Sequence, residues 1–279
     1  MDVYPCLDAF KAELQCLGEA PGSLRSIDGT FGMLLASGEC TRYFNDMFVQ
    51  NYSSPRFRDA ASGSLVLHET PAYSLAFGIE SSDKPFSSEI AGVPHEVLFG
   101  LVSGAGVEID RYRRDAGDPA VFDMACTVAL VERRSLVPGQ YVYLDGRFDY
   151  VNMGYRSRFI SLVATAKRPA KFVSEKFSAA DGRAKYVTAS ATETTRLEYA
   201  CEVLKHLGDE GSVPPLLRLC AHPAHFLRWR AVEALINVDF AAGRDVLRQF
   251  LSDEHPHVRA SARTALDALG SKGGHDGLA

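Results

Sequence analysis

The last quarter of the chain repeats itself with a period of 31 residues. Alanine recurs at Ala200, Ala231 and Ala262, and arginine recurs at Arg228 and Arg259. A fixed period of this size is typical of a solenoid of stacked helix pairs, because each pair buries its apolar face only against its neighbours. The sequence therefore predicts a helical repeat region over 192–270. Its helices are predicted near 195–207, 212–221, 225–238, 241–252 and 257–269.

The composition is that of an ordinary folded protein. The 279 residues suit one large or two ordinary domains, and 46% of them are hydrophobic. The net charge of −5 supplies no general basic field for nucleic acid. No apolar run reaches the roughly 20 residues that a membrane helix needs, and the first residues do not resemble a secretory signal. We therefore expect a cytoplasmic protein with no nucleic-acid partner and no membrane partner.

The six cysteines carry no pairing signal, since they are scattered and none belongs to a C-x-x-C pair. Disulfides are rare in cytosolic proteins, and free cysteine is among the most buried residue types. We expect reduced, mostly buried thiols.

Periodicity divides the rest of the chain into a helical and a strand-rich segment. Residues 1–60 are predicted to be helical, because Leu7, Phe10 and Leu14 follow helix spacing. Over 61–178 the period changes to two, which is typical of half-buried strands. About eight short strands without intervening helices predict an antiparallel sandwich or barrel with a concave interior. The strands are predicted near 64–68, 73–79, 96–102, 107–112, 125–132, 141–144, 148–151 and 159–165, with a further candidate at 171–177.

The repeats carry a recognisable short pattern. Segments 227–231 and 258–262 both read Leu/Val-Arg-x-x-Ala, and Pro223 and Pro256 precede them. This stretch resembles HEAT repeats, in which the pattern belongs to the second helix of each pair. The resemblance implies a surface that docks a protein or peptide partner.

The strand-rich segment resembles a cupin over roughly 60–168, in the arrangement of the cysteine-dioxygenase-like group. Segment 84–89 stands where that group has T-P-x-H-x-H, and segment 95–104 resembles the strand that follows it. Segment 138–152 resembles the second motif, which runs from Pro-Gly through a turn to a His shortly before an Asn. Together the segments predict an α+β protein. It has N-terminal helices, a cupin-like antiparallel β-barrel or jelly roll, and a C-terminal α-helical HEAT-repeat solenoid.

The ligand histidines of that family are not matched here. Ser87 and Glu89 stand at the first two ligand positions, and Asp149 stands at the third. Imidazoles suit a divalent first-row metal, whereas serine is a poor ligand and carboxylates alone favour weak binding of hard cations. We therefore expect no metal and no cofactor. The weaker alternative is Fe or another divalent metal held by Glu89, His95 and Asp149.

Residues of the cupin-like segment are candidates for lining a ligand pocket. His95 and Glu96 either form an acid–base pair, or His95 is a strand-start histidine bonded to backbone. Tyr141 and Tyr143 share a strand face and either stack on a ligand or pack in the core, which the sequence favours.

Two further candidates, Asp149 and Asn152, lie on opposite faces of one predicted strand, so that only one of them faces the interior. Short basic clusters at 111–114 and 132–134 either contact a phosphate or an acidic partner, or are solvated strand ends, which the sequence favours. None of these residues forms a complete catalytic set, so the catalytic residues are unknown.

In the repeats, Trp229, Arg228 and Arg230 are candidates for binding a partner. Trp229 is the only tryptophan, and an exposed tryptophan beside arginines is a typical hot spot. The alternative is that it packs against the strand-rich domain. Four histidines lie near the inter-helix turns without a cysteine pair at structural-zinc spacing, so we expect them to cap helices. They are His222, His225, His255 and His257.

Two functions remain open, beside a purely structural protein with a filled barrel. The first is a binding or scaffold protein, in which a degenerate cupin-like pocket takes a small-molecule ligand and the repeats dock a partner. The alternative is a cupin-type enzyme, an oxygenase or another enzyme that modifies small molecules or peptides, with an atypical metal or acid–base site. The missing histidines favour the first.

Overall fold

The structure is a computed structural model that describes residues 4–51, 64–80, 82–114, 121–190 and 192–272. Two compact units divide the chain, Met1–Thr188 and Ala189–Ala279. Residues 1–3 and 52–63 of the predicted helical and strand-rich segments lie outside the described residues.

The first unit begins with helices α1 (Pro5–Cys16), α2 (Asp28–Ser37) and α3 (Glu39–Asn51), and a 3-10 turn, Ser23–Ile27, precedes α2. Leu7, Phe10 and Leu14 are fully buried, as their helical spacing predicts. Glu39 is also buried, and its carboxylate accepts the backbone N–H of Leu7 at 2.9 Å. This bond satisfies a first-turn donor that has no partner within its own helix.

Eleven strands follow in the described part of this unit. They are β1 (Ser64–Glu69), β2 (Tyr73–Glu80), β3 (Glu89–Gly92), β4 (Val97–Gly104), β5 (Val107–Arg114), β6 (Val128–Leu136), β7 (Tyr141–Leu144), β8 (Asp149–Gly154), β9 (Phe159–Ala166), β10 (Val173–Ser178) and β11 (Ala184–Ala189). One sheet has the order β1-β2-β9-β4-β7 and the other β11-β10-β3-β8-β5-β6. Strands β2, β9, β4 and β7 facing β3, β8, β5 and β6 form the two four-stranded sheets of a jelly roll.

Alternation along the strands builds two apolar layers. Between the sheets, Val107 and Ile109 of β5 pack with Leu101 of β4 and Leu144 of β7. On the outer face of the first sheet, a second layer packs against the helices. Its buried strand residues include Leu75, Leu98, Leu162 and Ala164. The helices therefore cover one sheet, and the space between the sheets remains the interior of the sandwich.

The predicted strand list was incomplete, because β3 and β11 were absent from it. Strand β3 has only four residues and follows a polar loop. Strand β11 is an edge strand with an exposed middle, so it lacks the apolar alternation that marks a half-buried strand.

The second unit contains helices α4 (Thr192–Leu207), α5 (Val213–Leu219), α6 (His225–Val238), α7 (Phe240–Phe250) and α8 (Pro256–Lys272). The period is visible in its hydrogen bonds. Arg228 Nη1 donates to the carbonyls of His222 and Pro223 at 2.9 and 3.1 Å. One repeat later, Arg259 Nη1 donates to the carbonyls six and five residues before it, at 2.7 and 2.9 Å. Ala231 and Ala262 are fully buried. The predicted fold class is thereby confirmed.

The first repeat helix departs from the period. Ala200 is exposed, although its equivalents Ala231 and Ala262 are buried. The next residue, Cys201, is buried, and Val203 is 54% exposed. Helix α4 therefore buries only part of the face that α6 buries at the equivalent positions.

All six cysteines lie within the described residues and are free. Burial raises the pKa of Cys40 and of Cys220 to about 12, which keeps both as unreactive thiols. Cys16, by contrast, is exposed. Among the described helices, none combines the length and the apolar character needed to cross a membrane.

Candidate functional site

Asp149 occupies the position where the cupin pattern has its third metal ligand, and it is fully buried. Its Oδ1 accepts from Arg113 Nε at 3.1 Å, and its Oδ2 accepts the backbone N–H of Asp145 at 2.8 Å. Arg111 Nη1 lies 3.8 Å from the same Oδ2. The carboxylate is thus bound by two guanidinium groups, which repel any cation that approaches those oxygens.

The other members of the weaker metal alternative lie elsewhere. Glu89 accepts from Lys185 Nζ at 2.5 Å and from the Tyr186 hydroxyl at 2.9 Å, both on β11. His95 places Nδ1 2.8 Å from the carbonyl oxygen of Ala166. Within the described residues, the ligand atoms of Glu89, His95 and Asp149 do not come within 4.8 Å of one another. The structure therefore does not assemble the metal site of that alternative.

A pocket of about 310 Å³ lies beside β7 and β6, the edge strands of the two sheets. Arg111 and Arg113 reach it from β5, and Glu132 and Arg134 reach it from β6. Tyr141, Val142 and Tyr143 contribute from β7, Arg25 from the 3-10 turn, and Asp28 from the start of α2. We call this the arginine pocket. It brings the candidates Tyr141 and Tyr143 together with the two arginines that bind Asp149.

The lining of the arginine pocket carries more positive than negative charge, since it holds four arginines and two carboxylates. Arg111 pairs with Glu132 at 2.9 Å and Arg113 with Asp149. Arg25 and Arg134 form no ion pair with any residue that the structure describes. Arg111 Nε is buried and has no hydrogen-bond partner there. Buried donors of this kind are normally satisfied, so the guanidinium of Arg111 retains an unused hydrogen-bond donor.

Strand alternation explains why these arginines meet. Arg111 and Arg113 share the inner face of β5 with Ile109, whereas Arg114 points to the other face. There Arg114 Nη1 lies 3.5 Å from Glu175, and Arg133 of β6 pairs with Asp110 at 2.7 Å. The two basic clusters of the sequence are therefore each divided between the pocket and an outer face.

Glu96 is buried and anchors the 3-10 turn. Its carboxylate accepts the backbone N–H groups of Gly22 and Arg25 at 3.2 and 3.3 Å. The Tyr143 hydroxyl donates to the same carboxylate at 2.9 Å. Burial, followed by the charge of Glu96, raises the pKa of Tyr143, so the phenol stays neutral. Glu96 also borders a second cavity of about 300 Å³ with Asp145 and Arg147.

The remaining candidates of the first unit have structural contacts. Tyr141 meets Phe31 edge to face, with ring centroids 5.6 Å apart. The Asn152 amide accepts the backbone N–H of Ser87 at 3.0 Å and donates to its carbonyl at 2.8 Å. Of the two faces of β8, Val151 packs between the sheets, so the Asp149 face is the inner one.

One buried network of the first unit has no counterpart in the sequence analysis. Lys171 Nζ lies 3.0 Å from Glu175, and the Tyr150 hydroxyl donates to the same carboxylate at 2.5 Å. Burial lowers the pKa of Lys171, although Glu175 partly offsets this. The network lies among the apolar residues on the outer face of the second sheet, with Phe177 against the Tyr150 ring.

In the helical unit the structure corrects one partner-binding candidate. Arg228 is only 5% exposed, and its guanidinium binds Asp253 inside the unit. A guanidinium held in this way is not available to a partner. Trp229 is half-buried, packs against the helical core and donates Nε1–H to Glu233 at 2.8 Å. Arg230 is exposed and pairs with Glu198 at 3.1 Å.

An exposed apolar stripe, absent from the sequence-based candidates, runs along α4. Tyr199, Val203 and Leu207 are spaced by four residues, and they are 71%, 54% and 80% exposed. We call these three residues the α4 stripe. The i, i+4, i+8 spacing is present in the sequence, but spacing alone does not show whether such a helix face is buried or exposed.

A family model described as HEAT repeats matches residues 184–266, which agrees with the repeats deduced from the period. No curated protein matches the chain. Three solved structures resemble part of the chain at low sequence identity.

Hydroquinone 1,2-dioxygenase from Sphingomonas sp. TTNP3 is 11% identical, covers 43% of this chain and 75% of that chain, and gives a TM-score of 0.29. A sugar phosphate isomerase of the cupin superfamily from Silicibacter pomeroyi is 14% identical. The match covers 48% of this chain and 82% of that chain, with a TM-score of 0.27. A cupin superfamily protein from Desulfitobacterium hafniense is 16% identical. The match covers 37% of this chain and 74% of that chain, with a TM-score of 0.24. Two of these three proteins are described as members of the cupin superfamily. The jelly-roll assignment itself rests on the strand order.

Proposed function

We propose that the chain is a binding protein whose jelly-roll unit takes a small anionic ligand, a carboxylate or a phosphate monoester, in the arginine pocket. The carrying observation is the pair Arg25 and Arg134, which line the pocket without ion-pair partners among the described residues. Guanidinium groups bind carboxylates and phosphates through parallel hydrogen bonds. The volume of about 310 Å³ suits a small molecule.

The contacts of Asp149 and His95 support binding over the enzyme alternative. An acid–base role needs groups that exchange protons with a substrate. Asp149 is instead fully buried beneath Arg113 and Arg111, and the Nδ1 of His95 lies against the Ala166 carbonyl. The same contacts disfavour a metal at these residues.

The pocket is tested by thermal unfolding of the full chain in the presence of inorganic phosphate and, separately, of succinate. We expect at least one of these anions to raise the unfolding temperature, and Arg134→Gln and Arg25→Gln to remove the increase. Arg183→Gln is the matched control, because Arg183 is exposed and pairs only with Asp181 outside the pocket. The proposal is contradicted if the anions stabilise the wild type and all three variants equally. It is also contradicted if neither anion stabilises the wild type.

We further propose that the helical unit docks a protein with an apolar surface. The α4 stripe supports this, because three large apolar side chains on one helix face are exposed together. Capture from a cell extract by the wild type is compared with capture by Leu207→Glu, with Glu210→Gln as the control. A true partner is a protein that the wild type captures and that Leu207→Glu does not capture. It must also bind again to the purified wild type. If no protein meets both conditions, this part of the proposal is wrong.

A further inference from the structure

The turns before α6 and α8 bring three histidines together. His225 is the first residue of α6, and His255 and His257 flank the first residue of α8. Each offers a ring nitrogen, and these atoms lie within 4.8 Å of one another. It is the one group of three such side chains among the described residues. The repeat creates the cluster, since stacking α8 on α6 superimposes the turns that precede them.

The rings form a compact group. The His225 and His255 rings stack with centroids 3.7 Å apart and planes within 2°. The His257 ring stands across them, 5.1 Å from His255 at 74°. His255 is 8% exposed, His225 is half-buried and His257 is exposed. The cluster therefore has a buried floor and an opening to solvent.

We propose that His225, His255 and His257 bind a divalent first-row transition ion, with Zn²⁺ as the reference ion. Three imidazoles with one open position form a common zinc-binding set. In a tetrahedral zinc site, ligand nitrogens about 2.0–2.1 Å from the metal are about 3.4 Å apart. The ring nitrogens therefore need to move inward by only an ångström or so. Parallel rings cannot direct both lone pairs at one ion, so binding tilts His225 or His255 out of the stack.

The charged side chains around the cluster are two arginines and two carboxylates. Metal ions bind the neutral form of imidazole. Arg228 and Arg259 bring positive charge to these turns, and Asp253 and Glu254 balance it, with Arg228 bound to both carboxylates. The ion would join the turn before α6 to the turn before α8 and stiffen the repeat.

The sequence analysis favoured capping roles for these histidines, and such contacts are present. His255 Nδ1 accepts the backbone N–H of His257 at 3.3 Å, which is a long hydrogen bond. His222 makes the equivalent bond to Ala224 at 3.0 Å and stays outside the cluster. A neutral imidazole has a single lone-pair nitrogen, so metal binding by His255 replaces this long hydrogen bond.

The test titrates chelator-treated full-length protein with Zn²⁺ against a chromogenic zinc chelator. We expect one equivalent to bind, and His257→Ala to weaken it by at least ~100-fold, because even losing a residue that supports a metal ligand costs 10–100-fold. Co²⁺ in place of Zn²⁺ is expected to give the intense visible bands of a four-coordinate site, absent in His257→Ala. His206→Ala is the control, since His206 is exposed on α4 and pairs with Glu202.

Folding is checked separately. His257 is exposed, so His257→Ala is expected to keep the wild-type circular dichroism spectrum in EDTA. Asp149→Asn is included to separate this site from any metal in the jelly roll, and it should retain the zinc. The inference is overturned if the wild type binds no equivalent of Zn²⁺ at micromolar free ion. It is also overturned if both His257→Ala and His225→Ala bind the ion as the wild type does.

Discussion

Arg228 and Asp253 form a bidentate ion pair inside the helical unit. Nε donates to Oδ2 at 2.9 Å and Nη2 donates to Oδ1 at 2.7 Å, and both side chains are 7% exposed. The pair joins α6 to the turn that precedes α8. The remaining nitrogen of Arg228, Nη1, donates to two carbonyls in the turn before α6. One arginine thus fixes two successive turns of the repeat.

Replacing Arg228 with alanine is expected to cost about 3 kcal/mol or more of unfolding free energy, because it leaves the Asp253 carboxylate buried and unpaired. Arg259→Ala is the matched control. Arg259 makes the equivalent carbonyl bonds but binds no carboxylate side chain among the described residues, so about 1 kcal/mol is expected. Urea unfolding followed by Trp229 fluorescence measures both, because the only tryptophan lies in this unit. Equal costs would show that the carboxylate contributes nothing.

Asp149→Asn is expected to strengthen anion binding in the arginine pocket. The change removes a negative charge 3.1 Å from Arg113 and 3.8 Å from Arg111, while an asparagine oxygen can still accept the Asp145 N–H. We expect the affinity for inorganic phosphate to rise about tenfold, or about 1.4 kcal/mol. Calorimetric titration measures it. The enzyme alternative predicts instead that Asp149→Asn abolishes function, so weaker binding contradicts the proposed pocket.

The regular elements were predictable because burial imposes a period. The helix spacing of Leu7, Phe10 and Leu14 and the alternation from Tyr73 to Ile79 both predicted elements that the structure contains. Strand β11 was missed because its residues from Lys185 to Thr188 are all exposed, and no face of it needs to be apolar. Apolar alternation marks a strand with one buried face, and an edge strand that buries little shows no such alternation.

The site was less predictable, because it depends on partners distant in sequence. The clusters at 111–114 and 132–134 were visible, and alternation divides each between two faces, but which residues of β5 and β6 stand side by side depends on the pairing of Arg111 with Glu132. Arg228 was predicted to lie at the surface because its partner Asp253 is 25 positions away, and no residue near Arg228 in the sequence indicates that contact. His225 and His255 meet although they are not equivalent in the repeat, which is why the period alone did not bring them together.

The pKa of Asp145 predicts how the stability of the jelly-roll unit changes in acid. Burial raises the pKa of Asp145, but hydrogen bonds from the side chain and the backbone N–H of Arg147 outweigh it and leave the pKa below its ordinary value of 3.8. A carboxylate with a lowered folded-state pKa stabilises the fold above its unfolded pKa, and this stability is lost as the pH falls through the folded value.

The difference in unfolding free energy between the wild type and Asp145→Asn should therefore be constant above about pH 5 and shrink below about pH 4. Near-ultraviolet circular dichroism of the tyrosines follows this unit, because 10 of the 11 tyrosines of the chain precede Thr188. A difference that grows on acidification would show that Arg147 does not hold the carboxylate in its charged form.

Arg134→Gln is expected to leave the unliganded protein as stable as the wild type, or up to about 1 kcal/mol more stable. Arg134 lies in a pocket with three other arginines and has no ion-pair partner among the described residues, so its charge is repelled. Residues that serve binding are often costly to the free fold, and replacing them relieves that cost. Thermal unfolding in a buffer without phosphate or carboxylate measures the change against Arg183→Gln, which removes an exposed arginine elsewhere. A loss of stability greater than that of the control would make Arg134 a structural residue and leave Arg25 as the single candidate for the anion.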